Sequence, residues 1–243
     1  MQIDTIDSNK LNNIAQILGF RSYGQYKGQA EFLFEGISFC EKTFLDIGCG
    51  NGAFALWAGI NGGKYVLGIE PESSGSTKGS LEIFRGIVSD FGLQQRVQAD
   101  NKFLQDIKNK TFDIILMHNV INHLDEEAVQ RLHFDSTAQK KYVKILTGLR
   151  KLITNNGQLI IADCGRYNFW NMIGLKSPFA PGIEWEKHQQ PKVWIPIFEQ
   201  AGFGFNDLRW RPVRVIGKIG ANKLFHFFTI THFVIRFHAK QLM

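Results

Sequence analysis

Thr43-Phe44-Leu45-Asp46-Ile47-Gly48-Cys49-Gly50-Asn51-Gly52 decides the fold of this chain. Apolar Phe44, Leu45 and Ile47 predict a strand, and Gly48, Gly50 and Gly52 follow it at alternate positions. Ala53 to Ile60 then reads as a helix. Glycine removes the Cβ that would hold a ligand off the main chain and permits positive φ, while the N–H groups of a helix start face outward. A strand, a glycine turn and a helix in this order form a seat for a nucleotide-like molecule.

The order of the following segments strengthens that reading. A second strand, Lys64 to Ile69, ends in Glu70, about 20 residues after the turn, where an acid takes both hydroxyls of a bound ribose. A third strand, Arg96 to Ala99, ends in Asp100, and a fourth, Phe112 to Met117, ends in His118-Asn119. Four strands therefore finish on polar residues at one edge of a parallel sheet, the edge at which such folds bind ligands.

Two ligand classes fit a glycine turn with a downstream acid. Gly48-x-Gly50-x-x-Ala53 also meets the dinucleotide fingerprint, whose third glycine is replaceable by alanine. Asp46 argues against a dinucleotide, because a carboxylate at the strand end repels pyrophosphate and suits a ligand with an ammonium group. Tyr23 and Lys27, the one Tyr-x-x-x-Lys spacing near a helix, lie upstream of the turn, in the wrong order for a short-chain reductase.

With these residues in place, the chain resembles a class I S-adenosylmethionine-dependent methyltransferase. The resemblance runs from about residue 40 to residue 243 through LDIGCGNG, GIEPE, QAD, FDIILMHNVINHLDEE and LRKLITNNGQLIIADC. It implies an α/β fold: a Rossmann-like, doubly wound seven-stranded sheet, mostly parallel with an antiparallel last strand, and helices on both faces. It also implies S-adenosyl-L-methionine as cofactor. Its methionine end falls to Asp46 with Gly48, Cys49, Gly50, Asn51 and Gly52, its ribose to Glu70 with Pro71 beside it, and its adenine to Asp100 and Asn101. His118 and Asn119 border the same site.

A chain of 243 residues suits a single α/β domain with its own core. Residues 1–42 are expected as N-terminal helices, 43–164 as the cofactor-binding core, 165–187 as an aromatic lid and 188–243 as a C-terminal helix and β-hairpin. Asn9 to Leu18 and Gln25 to Cys40 read as the two opening helices, with Tyr23, Tyr26 and Gln29 as packing residues that could also reach the cofactor. Helical segments from Asp125 to Ile153 end at the stop signal Asn155-Asn156-Gly157. A fifth strand then spans Gln158 to Asp163. A helix from about Lys192 to Ala201, a strand Phe205 to Arg211 and a last strand Phe225 to Phe237 complete the pattern, the last returning between the fifth and sixth.

Cys40, Cys49 and Cys164 have no metal-ligand spacing and form no disulfide framework, so no metal is expected and a cytoplasmic location is. The start Met1-Gln2-Ile3-Asp4 lacks the basic and apolar pattern of a signal peptide. Leu224 to Ile235 is too short to span a bilayer. Cys164 follows the fifth strand, where some RNA cytosine methyltransferases hold a nucleophile. They also need a Pro-Cys at the fourth, where His118-Asn119 stands, so Cys164 reads as a small apolar residue.

Gly165 to Lys187 carries Tyr167, Phe169, Trp170, Phe179 and Trp185 with Pro178 and Pro181, and its length marks it as a functional loop over the acceptor site. A sulfonium is already a good methyl donor, so the protein mainly has to position the acceptor in a dry site. A hydroxyl acceptor also needs a base, for which histidine is suited. Candidates at the ligand edge are His118, His123, Asp163, Tyr167 and His188, with His123 and His188 foremost as catalytic residues. Asn122 stands where relatives often pair a Glu with the histidine, which weakens a carboxylate-histidine role for His123. Ile183-Glu184-Trp185-Glu186-Lys187-His188, with Pro191 and Trp194, resembles a bacterial subgroup linked with surface-glycan pathways.

The formal charge of +6 is concentrated at one end. From Phe205 onward Arg209, Arg211, Arg214, Lys218, Lys223, Arg236 and Lys240 face one acid, Asp207. Nucleic acid, an anionic membrane surface, and a phosphate-bearing acceptor such as a nucleotide sugar or lipid-linked glycan all fit that face, as does plain solvation. Trp210, Phe225, Phe227, Phe228 and Phe233 could stack bases, although a strand needs such residues for packing. The Asn/Asp-Pro-Pro-aromatic signature of base-amino methylation is absent from His118 to Ile121. O-methylation of a small-molecule or glycan acceptor leads. An RNA methyltransferase and a non-catalytic cofactor-fold binding protein remain the alternatives.

Overall fold

The computed structural model describes residues 7–72, 78–211, 223–229 and 231–241. Its seven strands are β1 (Thr43–Ile47), β2 (Tyr65–Ile69), β3 (Val97–Asp100), β4 (Phe112–His118), β5 (Ile153–Cys164), β6 (Phe203–Trp210) and β7 (His232–Ala239). They form one sheet in the order β3-β2-β1-β4-β5-β7-β6. β1 runs parallel to β2, and β2 to β3, while β7 is antiparallel to both β5 and β6. This is the doubly wound sheet with a reversed last strand that the sequence implied. The chain divides into two compact units, Met1–Leu116 and Met117–Met243.

In the first unit the register at β1 is pinned by Thr43. Its N–H and Oγ1–H donate to Asp113 Oδ2 at 2.9 and 3.0 Å, and the Asp113 N–H donates to Thr43 Oγ1 at 2.9 Å. Helices α1 (Ser8–Ile17), α2 (Tyr23–Leu33), α3 (Ala53–Ile60) and α4 (Ser80–Asp90) share one apolar cluster, in which Ile14, Leu18 and Tyr26 meet Leu56, Ile87 and Phe91. Each such side chain contributes about 1.5–3 kcal/mol when fully buried. Tyr26 has its expected packing role: its ring meets Trp57 edge-on at 5.7 Å, and its hydroxyl donates to Ala53 O at 2.7 Å.

α2 is shorter than expected and starts earlier. Ser22 accepts the Gln25 N–H as an N-cap, and the helix stops at Leu33, after which Phe34 packs on Phe39, Phe44 and Phe54. Gly36 then turns the chain at φ 74°.

In the second unit, the expected helical segments are α5 (Glu126–Arg131) and α6 (Ser136–Arg150), with Asp125 and Asp135 as N-caps. Asn155-Asn156-Gly157 does not stop a helix; it lies inside β5. The reason is tertiary. The buried Arg150 guanidinium donates to Ile153 O at 3.2 Å, to Asn155 Oδ1 at 3.4 Å and to Lys240 O, and so holds the segment extended.

The expected lid is not structureless: it contains α7 (Phe169–Met172) and a 3-10 turn at Trp185–Lys187. α8 (Pro191–Gln200) follows and packs on β6. Phe225 to Phe227 was expected in the last strand and is instead helical, in α9 (Lys223–Phe227). Phe169 lies 5.4 Å from Phe228, and Trp170 Nε1 donates to Phe228 O at 2.9 Å, which fixes that segment outside the sheet. Thr231, at φ 47°, turns the chain into β7. Among the described residues no helix is long and apolar enough to cross a membrane.

Candidate functional site

The first unit holds the glycine turn. Gly48, Gly50 and Gly52 have φ of 68°, 50° and 81°, the left-handed region that favours glycine. Gly48 and Cys49 donate to Ile69 O at 2.8 and 3.0 Å, which fixes the turn to the end of β2. Gly52 and Gly50 have different roles. A Cβ at Gly52 would stand 2.1 Å from Phe84 Cδ2, so packing excludes any side chain. At Gly50 nothing lies within 4 Å of that place, so the backbone is open to a ligand.

Glu70 leaves β2 beside this opening, and its Oε2 accepts the Gly50 N–H at 2.9 Å. Pro71 follows it, half-buried. Asp100 ends β3, its carbonyl accepts the Glu70 N–H at 3.2 Å, and its carboxylate pairs with Lys102 at 2.7 Å. Asn101 is exposed just beyond. The Asn51 amide is directed elsewhere, donating to Ile17 O at the end of α1 at 2.8 Å. Cys49 is buried against Gly68, where a Cβ would lie 2.8 Å from its sulfur, so the small thiol packs there.

Asp46 is buried at the end of β1, and its Oδ2 accepts the Ala55 N–H at 3.2 Å. Burial pushes its carboxyl up to about 8, against the pull of the Ala55 N–H and with help from the Glu70 charge. A cation placed beside Asp46 would favour its ionised form. An open glycine main chain, a buried acid that welcomes an ammonium, and an acid at the opening suited to a diol fit the methionine and ribose parts of S-adenosylmethionine.

The second unit brings several of the predicted acceptor-side residues together. A cavity of about 250 Å³ is lined by Asn119, His123, Cys164, Glu184, Lys187 and His188, among others. Asn119 follows β4 at φ 56°, with its N–H donating to Ala162 O at 2.8 Å. His188 is buried, and its Nδ1 lies 2.9 Å from Oδ1 of the fully buried Asp163. His123 is half exposed, with Nδ1 2.7 Å from Glu126 Oε1. Lys187 bridges Glu126 and Glu184, each at 2.9 Å, and holds the 3-10 turn over α5. The Lys187 and His123 partners also pull the Glu126 carboxyl down.

His118 stands at the end of β4, with its ring 5.7 Å from that of His232. Burial, and then the charge of Arg211, lowers its pKa to about 4, so it is neutral near pH 7. Tyr167 does not line the cavity that holds His188. Burial pushes the Cys164 thiol up, aided by Asp163, which agrees with its reading as a small apolar residue. Of the basic terminal residues, Arg209 pairs with Asp207 at 3.6 Å, while Arg214 and Lys218 lie outside the described residues.

Two partners escaped the sequence. Asp163 meets His188 across 25 positions, for which no local spacing exists. Glu126 stands three residues after His123, a spacing readable from the sequence, and supplies the carboxylate that Asn122 does not. Among the described residues no group of three or more His, Cys, Asp or Glu side chains is placed to hold a metal ion.

Residues 21–203 match the family described as Methyltransferase domain. An uncharacterised protein of Methanocaldococcus jannaschii is 28% identical over 139 residues, 54% of this chain and 48% of that protein. The chain thus spans about half the length of this curated relative. Similar solved structures include an S-adenosylmethionine-dependent methyltransferase from Aquifex aeolicus, with TM-score 0.58, 16% identity and coverage of 97% of this chain and 100% of that one. One from Mesorhizobium loti has TM-score 0.60, 14% identity and coverage of 88% and 99%. Geranyl diphosphate C-methyltransferase from Streptomyces coelicolor, solved with S-adenosyl-L-homocysteine, has TM-score 0.63, 10% identity and coverage of 90% and 79%. At these identities the likeness is one of fold. With the family match covering most of its length, the chain belongs to the methyltransferase-domain family.

Proposed function

We propose that this protein O-methylates a small-molecule or glycan-type acceptor, with residues 1–243 acting as one catalytic domain and His188 as the general base. The observation that carries this reading is the buried His188–Asp163 pair at 2.9 Å on the wall of the 250 Å³ cavity. An ionised carboxylate is acceptor-only, so it holds the proton on Nδ1 and leaves the Nε2 lone pair to accept a hydroxyl proton. Asp163 acts through His188 and is a positioning residue.

On the cofactor side Asp46, Gly48 to Gly52, Glu70 and Asp100 would hold S-adenosylmethionine. When bound, it supplies a methyl group already activated by its sulfonium. The chain's own task is then to orient the acceptor, exclude water and remove one proton. Gly165 to Lys187 serves as the lid, held by the Glu126–Lys187–Glu184 bridge. His123 shares the cavity, but its exposure and its surface carboxylate favour a binding role over that of base.

The test is incubation of the protein with S-adenosylmethionine labelled in its methyl group and fractionated extracts, followed by mass spectrometry of the labelled product. A label released by mild base as methanol, or retained on nitrogen or carbon, would refute O-methylation of a hydroxyl.

A further inference from the structure

The second unit contains another cavity, of about 400 Å³, walled by Tyr167, Pro191, Leu208, Trp210 and Phe227, with Lys192 among its lining residues. Its size lies within the range of small-molecule sites, which are mostly apolar with a few polar groups. Lys192 Nζ lies 5.8 Å from the centre of the Tyr167 ring, and Lys192 forms no ion pair among the described residues. Apolar walls with a cation that, among the described residues, has no carboxylate partner complement an apolar chain that carries a negative group.

Residues close together in the chain line this cavity and the one that holds His188. Gly165 follows Cys164, its N–H donates to Thr231 O at 3.0 Å, and Thr231 Oγ1 donates back to Gly165 O at 2.5 Å. A Cβ on Gly165 would lie 2.7 Å from Gln190 Nε2, so the absence of a side chain lets the main chain pass close to Gln190. Thr231 and Gln190 line the apolar cavity, while Cys164 and His188 line the other. The surface alongside is also apolar: Met172, Leu224 and Phe228 are 64%, 72% and 47% exposed on the α7 and α9 segments.

We propose that the 400 Å³ cavity binds the apolar chain of an anionic amphiphile, an alkyl phosphate or carboxylate in its simplest form, and that this chain belongs to the methyl acceptor. The second half of this proposal rests on the methyltransferase reading. Calorimetry on the full chain tests it with octyl phosphate, decyl phosphate, decanoate, inorganic phosphate and uncharged octyl glucoside, and with S-adenosylhomocysteine as a separate titration.

Decyl phosphate should bind saturably and about fifteenfold tighter than octyl phosphate, two methylenes apart. Inorganic phosphate and octyl glucoside should bind far more weakly, and the tighter of decyl phosphate and decanoate identifies the preferred oxyanion. Leu208→Trp, which fills the cavity, and Lys192→Gln should each weaken decyl phosphate by about tenfold or more and leave S-adenosylhomocysteine unaffected. Should Leu208→Trp fail to fold, Tyr167→Ala at a 58% exposed position should weaken decyl phosphate to a similar degree. Unchanged binding in the folded variants, or no saturable binding of either amphiphile, overturns the proposal. If S-adenosylhomocysteine binds in that case, the methyltransferase reading stands; if it also fails, that reading falls as well.

Discussion

Nδ1 of His188 stands 2.9 Å from Oδ1 of Asp163, and that same oxygen accepts the Cys164 N–H at 2.7 Å. The second bond locks the carboxyl group at the end of β5, so the ring of His188 is oriented by a group that cannot itself turn. His123 has a carboxylate partner at 2.7 Å too, but that pair is half exposed and competes with water. Burial of the partner therefore separates the two histidines as candidate bases.

Replacement of His188 by Gln should lower methyl transfer by about the 10² to 10⁴ typical of a general base, with S-adenosylhomocysteine affinity near wild type. Asp163→Asn should reproduce much of the loss, because an amide can donate to Nδ1 and hold the wrong tautomer. His123→Gln should mainly raise the acceptor KM. Single-turnover and steady-state rates on the acceptor found by the labelling screen decide between them. Full turnover in His188→Gln would leave positioning alone as the mechanism.

The glycine turn and the acids of the candidate cofactor half were legible because their signals are local. Alternating glycines, Asp46 at a strand end and Glu70 at the end of the next strand are fixed by turn chemistry and by the position of strand ends. The acceptor half was not, since its contacts span distant positions. Asp163 reaches His188 through the path of the lid, and Arg150 turns Asn155-Asn156-Gly157 from a helix stop into strand by holding Asn155. Phe225 to Phe228 has the composition of a strand, yet Phe169 and Trp170 capture its end as helix. Periodicity does not separate helix from strand in so short an apolar run.

Glu70 has two partners to satisfy in this arrangement. Its Oε2 already accepts the Gly50 N–H, so Glu70→Ala should both loosen the turn and remove the proposed ribose acceptor. Charge-assisted hydrogen bonds are worth about 1.5–3 kcal/mol, so S-adenosylhomocysteine affinity should fall by about one to two powers of ten. Calorimetry on the folded variant measures it, and unchanged affinity would remove Glu70 from the site.

Gly52→Ala should affect folding as well as binding. The new Cβ would stand 2.1 Å from Phe84 Cδ2 at a residue held at φ 81°. Overpacking and left-handed strain together cost about 2–6 kcal/mol. Gly50→Ala, at φ 50° with open space around it, carries the backbone strain alone. Thermal unfolding should therefore rank Gly52→Ala well below Gly50→Ala, and the reverse order would show that contact with Phe84 does not govern position 52.

The proposed seat of the ammonium on Asp46 predicts a pH dependence with a definite sign. Burial holds its carboxyl at about 8, so below that pH the free protein keeps the proton. An ammonium docked beside it favours the carboxylate, so binding at lower pH must release a proton. Affinity for S-adenosylhomocysteine should accordingly rise by up to about tenfold per unit from pH 6 towards pH 8, then level off. Calorimetry in two buffers of different ionisation enthalpy counts the proton, which should approach one released per ligand near pH 6.5. Asp46→Asn keeps the shape and removes the titration, so its weaker affinity should be flat over the same range. Pairing of the wild type with S-adenosylhomocysteine without proton release would mean that the ammonium does not rest on Asp46.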